Sequence, residues 1–262
     1  MRWVAALACL GVAALSPARL LAAEDPAHPG AEHREADNGT DPTRVSRTVQ
    51  MKFEHLALRD GFSSDTLKLW YTQPLGPGLS AVFKLPVTRV DVLGNDGAGL
   101  GDVSVQLGKV FGLSKEGGHV VQGEMIFDTA TRPELGGNQN VFKGTYIRAF
   151  FLQNGGIFAP SFQHNVGLWG QGNAPRINLT TVDVYYVPKM ADPRNLVTFD
   201  PNVNYNWQRR DLFASLAVTL GRNFGKSPFG GNQFVLVKPA AVFGNDRPNR
   251  WGLELTYKVI GF

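Results

Sequence analysis

From position 49 to the end of the chain, apolar and polar residues alternate in short runs, and Gly, Pro, Asn and Asp separate one run from the next. A period of two describes a strand with one greasy and one wet face. The last run is the clearest. Trp251, Leu253, Leu255, Tyr257 and Val259 fall on one face, Gly252, Glu254, Thr256 and Lys258 on the other, and an aromatic, Phe262, follows. Val259-Ile260 interrupts the alternation, and a bulge is expected to restore it. Other apolar rows begin at Val49, Leu67, Ala81, Val103, Val121, Ile147, Phe158, Val182, Val197, Leu212 and Val235. With the closing run they make about twelve strands, at roughly 18 residues per strand and connection. That spacing suits membrane-crossing strands of about ten residues joined by turns and loops. The pattern predicts an all-β fold: an up-and-down antiparallel transmembrane β-barrel over residues 48–262.

Loop lengths follow an alternating rule in such barrels when both ends lie on the periplasmic side. The connections 88–101 and 128–143 are long and rich in Gly, Asn and Asp, whereas 73–78 and 153–156 are tight. The connection 221–233 breaks the rule, being long on the nominally periplasmic side. Aromatic residues gather near strand ends (Trp70, Tyr71, Trp169, Tyr185, Tyr186, Tyr205, Trp207, Trp251 and Tyr257), where interfacial girdles belong.

Upstream, the chain reads as two further segments. Residues 1–23 have a basic start, an apolar stretch and small residues before Glu24, which predicts a secretory signal peptide cleaved after Ala23. Residues 24–47 carry charge, Pro and Gly with almost nothing apolar, and read as a flexible periplasmic leader. The single cysteine, Cys9, lies in the signal, so the exported chain has no thiol, disulfide or cysteine metal site. His28 and His33 lack a third ligand at usable spacing, and no metal or cofactor is expected.

Composition narrows the classes. Charged residues make up 18% and hydrophobic ones 43%, a low charge for a soluble globule but ordinary for a wall that faces lipid. After the N-terminal segment no apolar run approaches the roughly 20 residues of a membrane helix, so any crossing is by strands. The net charge of +4 is scattered singly, without the basic stripe that nucleic acid requires.

If the apolar rows face lipid, the alternate rows line the lumen. They supply Lys52, Glu54, Lys68, Lys84, Glu124, Arg148, Asp183, Lys238, Glu254 and Lys258, and the row Asp200, Asn202, Asn204, Asn206. In that last row every second residue is a carboxylate or amide, while Phe199, Val203 and Tyr205 alternate with them. The solvent face of a two-layer sheet would look similar. Signs are nearly balanced, and burying charge is costly unless it is paired, so a narrow side-chain-lined passage is expected.

Two stretches resemble catalytic or phosphate-binding motifs without completing them. Phe162-Gln163-His164-Asn165-Val166 sits where an outer-membrane phospholipase carries His-x-Ser, but Val166 stands in place of the hydroxyl, so His164 has nothing to activate. Gly97-Ala98-Gly99-Leu100-Gly101-Asp102 lacks the spacing of a phosphate loop and precedes a strand. An enzyme is therefore not expected.

The same Gly99-Leu100-Gly101-Asp102-Val103, ahead of an alternating strand, resembles the outer-membrane family labelled for the meta-pathway of phenol degradation. Phe83-Lys84-Leu85-Pro86, Leu135-Gly136-Gly137, and Pro248 with Trp251-Gly252-Leu253-Glu254 support the resemblance, which spans residues 48–262. It implies a barrel that passes small, aromatic or hydrophobic solutes, and brings no catalytic residues. The expected function is that of a bacterial outer-membrane channel or transporter. The partners expected are outer-membrane lipid, the barrel-assembly machinery, with Phe262 as its signal, and a small-molecule solute, but no nucleic acid. The alternatives are a non-conducting structural or adhesive barrel and, behind it, an outer-membrane lipid hydrolase.

Overall fold

A computed structural model describes residues 39–92, 95–170, 176–245 and 247–262. The expected signal segment, the leader before residue 39, and His28 and His33 lie outside the described residues.

Thirteen strands follow in chain order: β1 (Thr48–Leu58), β2 (Ser63–Gly76), β3 (Leu79–Val92), β4 (Asn95–Leu100), β5 (Ser104–Phe111), β6 (Gly117–Ile126), β7 (Gln139–Phe151), β8 (Ile157–Gly170), β9 (Asn178–Val187), β10 (Asn195–Asn206), β11 (Asp211–Lys226), β12 (Asn232–Phe243) and β13 (Asn249–Ile260). All pairings are antiparallel, and β13 returns to β1 in a ladder that starts at Thr48↔Ile260, which closes the sheet. β4 and β5 share one neighbour: β4 pairs with Val87 to Val92 of β3, and β5 with Leu79 to Lys84. They therefore form one stave, and the closed barrel has twelve. Closure pairs β1 with β13 and so joins the two ends of the main sheet, which is what a sheet in hydrocarbon requires. Both described ends of the chain lie at one end of the barrel, here the termini end; the other is the far end.

Three local expectations change. Much of the expected loop 88–101 is a continuation of the wall, because β3 and β4 make a hairpin beyond the main sheet. The long connection 221–233 shrinks to a turn over 227–231. β11 runs on to Lys226 through an irregularity between Asn223 and Lys226, and Gly230 (φ 86) and Gly231 (φ 66) turn the chain. The apparent violation of the loop rule thus comes from strand length. In β13 the register against both neighbours is continuous from Trp251 to Ile260, with no bulge at Val259-Ile260. Ile260 takes an inward position, buried with Leu196 and Phe234. Alternation is lost one residue later, at Gly261, whose φ of 73 suits glycine.

One strand has the opposite phase to that read from the sequence. In β7, Phe142, Tyr146 and Phe150 are the exposed residues, whereas Val141 and Ala149 are buried at 4% and 0% exposure. The row containing Ile147, Ala149 and Phe151 therefore faces inward, and Arg148 faces outward with its guanidinium 4.8 Å from the Phe150 ring centre. Both phases of this strand carry apolar residues, so local periodicity could not choose between them.

The outer face is apolar almost all the way round, with Phe53, Leu69, Leu85, Phe162, Val182, Val203, Leu220 and Leu255 among its exposed residues. Water would not tolerate an apolar surface of this extent; hydrocarbon would.

Candidate functional site

Inside the barrel, strand alternation brings the polar rows together. At mid-height five lysines and five carboxylates point inward: Lys52, Lys68, Lys84, Lys143 and Lys238 with Glu54, Glu124, Asp183, Asp200 and Glu254. Most are paired, either between neighbouring strands or across the one strand between them. Lys52 Nζ meets Glu254 Oε1 at 3.2 Å, and Lys68 Nζ meets Glu54 Oε1 at 2.7 Å. Lys238 Nζ meets Asp200 Oδ2 at 2.6 Å. Charges held away from bulk water survive only with such partners.

Glu124 is the most enclosed of the set, its side chain 3% exposed. Its Oε1 accepts from Lys84 Nζ at 2.8 Å and from Ser104 Oγ at 2.5 Å, while Lys143 Nζ pairs with Oε2. Lys84 Nζ also donates to Gln106 Oε1 at 2.8 Å. The Trp70 ring lies between Lys52 Nζ, at 4.1 Å from its centre, and Lys84 Nζ, at 4.6 Å, a cation–π contact on either side.

On β9 and β10 the arrangement differs. Asp183 accepts from Ser161 Oγ at 3.4 Å through Oδ2, and its buried Oδ1 has no donor. The row Asp200, Asn202, Asn204, Asn206 points inward, as its alternation with Phe199, Val203 and Tyr205 indicates. Asn204 Nδ2 donates to Asn202 Oδ1 at 2.7 Å, and Ser215 Oγ donates to the same oxygen at 2.9 Å. Thr181 Oγ1 donates to Asn204 Oδ1 at 2.7 Å. At the far-end rim, Asn206 serves a turn instead, its Oδ1 accepting from the Gln208 and Arg209 amides.

Two of the residues read as lumen-lining stand apart from this belt. Arg148 is on the outer face for the reason given above. Lys258 lies inward near the termini end, where its Nζ is 3.5 Å from the Gly39 carbonyl oxygen and 5.4 Å from the Phe234 ring centre. Sequence reading missed Lys143, Trp70 and Gln106. Lys143 could have been found from its position opposite Glu124, had the pairing of β6 with β7 been known.

Both mouths are narrowed by chain. At the termini end residues 39–47 cross the opening, with Thr40 and Thr43 buried and the Gly261 amide donating to the Arg47 carbonyl at 2.8 Å. Asp41 shapes this segment by accepting from the Thr43 amide at 2.8 Å and the Thr43 hydroxyl at 2.6 Å. Between it and the inner wall lies a cavity of about 280 Å³, lined by Arg44, Ser46, Gln50, Gln106, Gln122 and Lys258 among others. Across the mouth, Leu196, Phe234 and Ile260 form an apolar cluster with Leu236. Gly221 on β11 makes room for it, since a Cβ there would sit 2.8 Å from Leu196.

At the far end, the segment joining β6 to β7 packs against the hairpin of β3 and β4. Asp102 pins it: Oδ1 accepts from the Thr129 and Ala130 amides at 3.2 and 3.1 Å, and Oδ2 from the Gly137 amide at 2.6 Å. Gly136 permits the approach, because a Cβ there would lie 2.6 Å from both carboxylate oxygens. The Gly-Leu-Gly-Asp stretch thus orders a loop.

His164 faces outward, where its Nδ1 is 3.0 Å from Thr180 Oγ1, which also accepts from the Trp207 indole at 2.9 Å. The polar residue on an apolar face is therefore satisfied by neighbours near the rim. Among the described residues no group of three or more His, Cys, Asp or Glu is placed to hold a metal.

No protein-family model matches the chain, and no curated protein sequence does. Solved structures do. The COG4313 outer membrane channel from Pseudomonas putida F1 superposes with a TM-score of 0.67 at 11% identity, over 87% of this chain and 100% of that one. The NanC porin gives 0.56 at 10% identity over 82% and 99%, and the KdgM porin 0.54 at 7% over 81% and 98%. At such identities the likeness concerns the backbone alone. With closure by β1 and β13, an apolar exterior and polar rows within, it shows that this chain has the twelve-stranded fold of outer-membrane channel and porin barrels.

Proposed function

We propose that the protein is a channel of the bacterial outer membrane that passes a small solute along its lumen. The observation that carries this reading is the mid-height belt of inward lysines and carboxylates, joined by amides and hydroxyls, within a wall whose exterior is apolar. A barrel with a purely structural role could be filled with apolar side chains more cheaply, since buried ion pairs seldom stabilise more than well-packed hydrophobic groups. Charged and polar groups facing a lumen suit a path for a small solute. In this reading the termini end is periplasmic, the export signal is removed after Ala23, and residues 24–47 lead into the barrel. The barrel-assembly machinery inserts the chain with Phe262 as part of its signal. The solute is small, and the resemblance in sequence suggests an aromatic or hydrophobic one.

Reconstitution into planar lipid bilayers tests the proposal. Discrete conductance steps from purified, refolded protein are expected, and their absence would overturn it. A second reading, a non-conducting barrel, draws on the two narrowed mouths. It would be favoured if bilayers stay silent while the protein inserts fully into vesicles.

A further inference from the structure

The cavity at the termini end is lined differently from the charged belt. It lies between residues 39–47 and the inner wall, holds about 280 Å³, and its wall side is a panel of consecutive strands: β13, β1, β2, β3, β5 and β6. That panel presents amides and hydroxyls in place of ion pairs. Gln50, Thr72, Ser80 and Gln122 are half-buried, and none of their side chains has a hydrogen-bond partner among the described residues. Gln106 accepts from Lys84 Nζ through Oε1 at 2.8 Å, which leaves its NH2 group as a donor. Gly108 sits in one row between Ser80 and Gln122. A Cβ there would come 3.3 Å from Ser80 Oγ and 3.5 Å from Gln122 Cγ, so glycine keeps the floor between them open. Polar groups held this way are satisfied by water until something replaces it. An apolar molecule would strand them, whereas hydroxyl groups can take over the bonds that water makes.

Charge and size narrow the ligand further. Among the described residues lining the cavity, the ionisable ones are Asp41, Arg44 and Lys258, two cations and one carboxylate. Asp41 Oδ1 is engaged by the Thr43 amide and hydroxyl, and Lys258 Nζ lies 3.5 Å from the Gly39 carbonyl oxygen. The half-buried Arg44 has a guanidinium with no partner among the described residues. One positive charge is therefore left over, and the unpartnered cation is the one on segment 39–47. A cavity of about 150 Å³ accommodates benzene, so this one has room for a single ring with its substituents. Val110 and Val120, opposite each other in the β5–β6 ladder, offer such a ring an apolar surface.

Building on the channel reading above, we infer that this cavity is a binding site where the solute pauses at the termini end, and that the solute is a ring-sized carboxylic acid bearing hydroxyl groups. Arg44 meets the carboxylate. The amides of Gln50 and Gln122 and the hydroxyls of Thr72 and Ser80 meet the hydroxyl groups, and the two valines take the ring carbons.

Titration calorimetry on the full-length protein in detergent tests the site without requiring conduction. Quinate carries both features; cyclohexanecarboxylate has the charge without the hydroxyls, and myo-inositol the hydroxyls without the charge. Quinate should bind at neutral pH, and each of the others about tenfold or more weaker, the loss expected for one charge-assisted or two neutral hydrogen bonds. Arg44→Gln should weaken quinate to the level of myo-inositol and Arg44→Lys should recover most of the affinity; Arg44 precedes β1, so neither change touches the ladder. Gln122→Leu should weaken quinate and leave cyclohexanecarboxylate unchanged, with Gln50→Leu in its place if that variant fails to fold. No quinate binding to the wild type, equal binding of all three compounds, or quinate affinity unchanged in Arg44→Gln and in the folded glutamine variant would overturn the inference, whether or not the protein conducts. In planar bilayers quinate should reduce the open-channel current of the wild type but not of Arg44→Gln. A protein that binds quinate yet never conducts would remove the channel reading and leave the binding site standing.

Discussion

At the scale of single residues, position on the wall decides what a side chain costs. Asn202 and Val203 are adjacent in β10, yet one accepts hydrogen bonds from Asn204 and Ser215 inside the barrel and the other stands exposed on the outer face. A lysine at Val203 would place an ammonium in hydrocarbon, at about 2–4 kcal/mol near the bilayer midplane. A lysine at Asn202 keeps its charge in the lumen beside two carboxyl groups. Val203→Lys is therefore expected to lower the folded fraction in urea titrations in lipid vesicles, and Asn202→Lys to leave it nearly unchanged. Equal tolerance would mean that neither face sees lipid. Asp102 offers a second test. Its carboxylate accepts three backbone amides, and charge-assisted bonds of this kind are worth about 1.5–3 kcal/mol each when satisfied. Asp102→Ala should release the segment between β6 and β7, seen as faster cleavage by added protease within residues 127–138, while the barrel still migrates as folded on gels.

At the scale of elements, the two segments across the mouths and the closing strand carry separate roles. Residues 39–47 touch inward groups of several strands, including Lys258 and Ile260. Their contacts add to the barrel without forming part of its ladder. Deleting 39–46 is expected to raise single-channel conductance and leave assembly intact; an unchanged conductance would show that the narrow point lies elsewhere. β13 is different, because its ladder with β1 closes the sheet. Phe262 follows that strand and is tied to the segment that enters β1 through Arg47, whose Nη1 is 3.5 Å from the Phe262 carbonyl oxygen. Removing Phe262 should reduce the amount of heat-modifiable barrel in outer membranes without altering the conductance of the molecules that do assemble. Normal yield from the truncated chain would remove Phe262 from the assembly signal.

The whole molecule is a closed wall with its solvents reversed: apolar outward, polar inward. Its stability depends on lipid or detergent covering a band of exposed Phe, Leu and Val that runs round all twelve staves. The protein is expected in the outer-membrane fraction, extracted only by detergent, with a faster-migrating folded form on unheated gels. Recovery of folded protein from the soluble periplasm would contradict this. Ion pairs within the wall also tie next-but-one staves together, as Lys238 of β12 does with Asp200 of β10 across β11. Such pairs add side-chain links to the closed hydrogen-bond ladder.

Much of this was legible along the chain. A period of two with charge on one face sets which residues of β10 and β13 point inward, because only one phase of those strands is apolar. Strand number followed from the same signal, since turn residues break it at regular intervals. The phase of β7 was not legible, as Phe142, Tyr146 and Phe150 compete with Val141, Ile147 and Ala149, and the choice rests on Lys143 reaching Glu124 on the neighbouring strand. The place of residues 39–47 was hidden too, because a polar segment with no periodicity carries no mark of the wall it rests on. The charge clusters lay furthest out of reach. Whether two lysines share one carboxylate depends on the stagger between neighbouring strands around a closed barrel, and that stagger is set by pairing between residues far apart in the chain. Local periodicity determines which face a side chain takes; only closure of the sheet determines what it meets there.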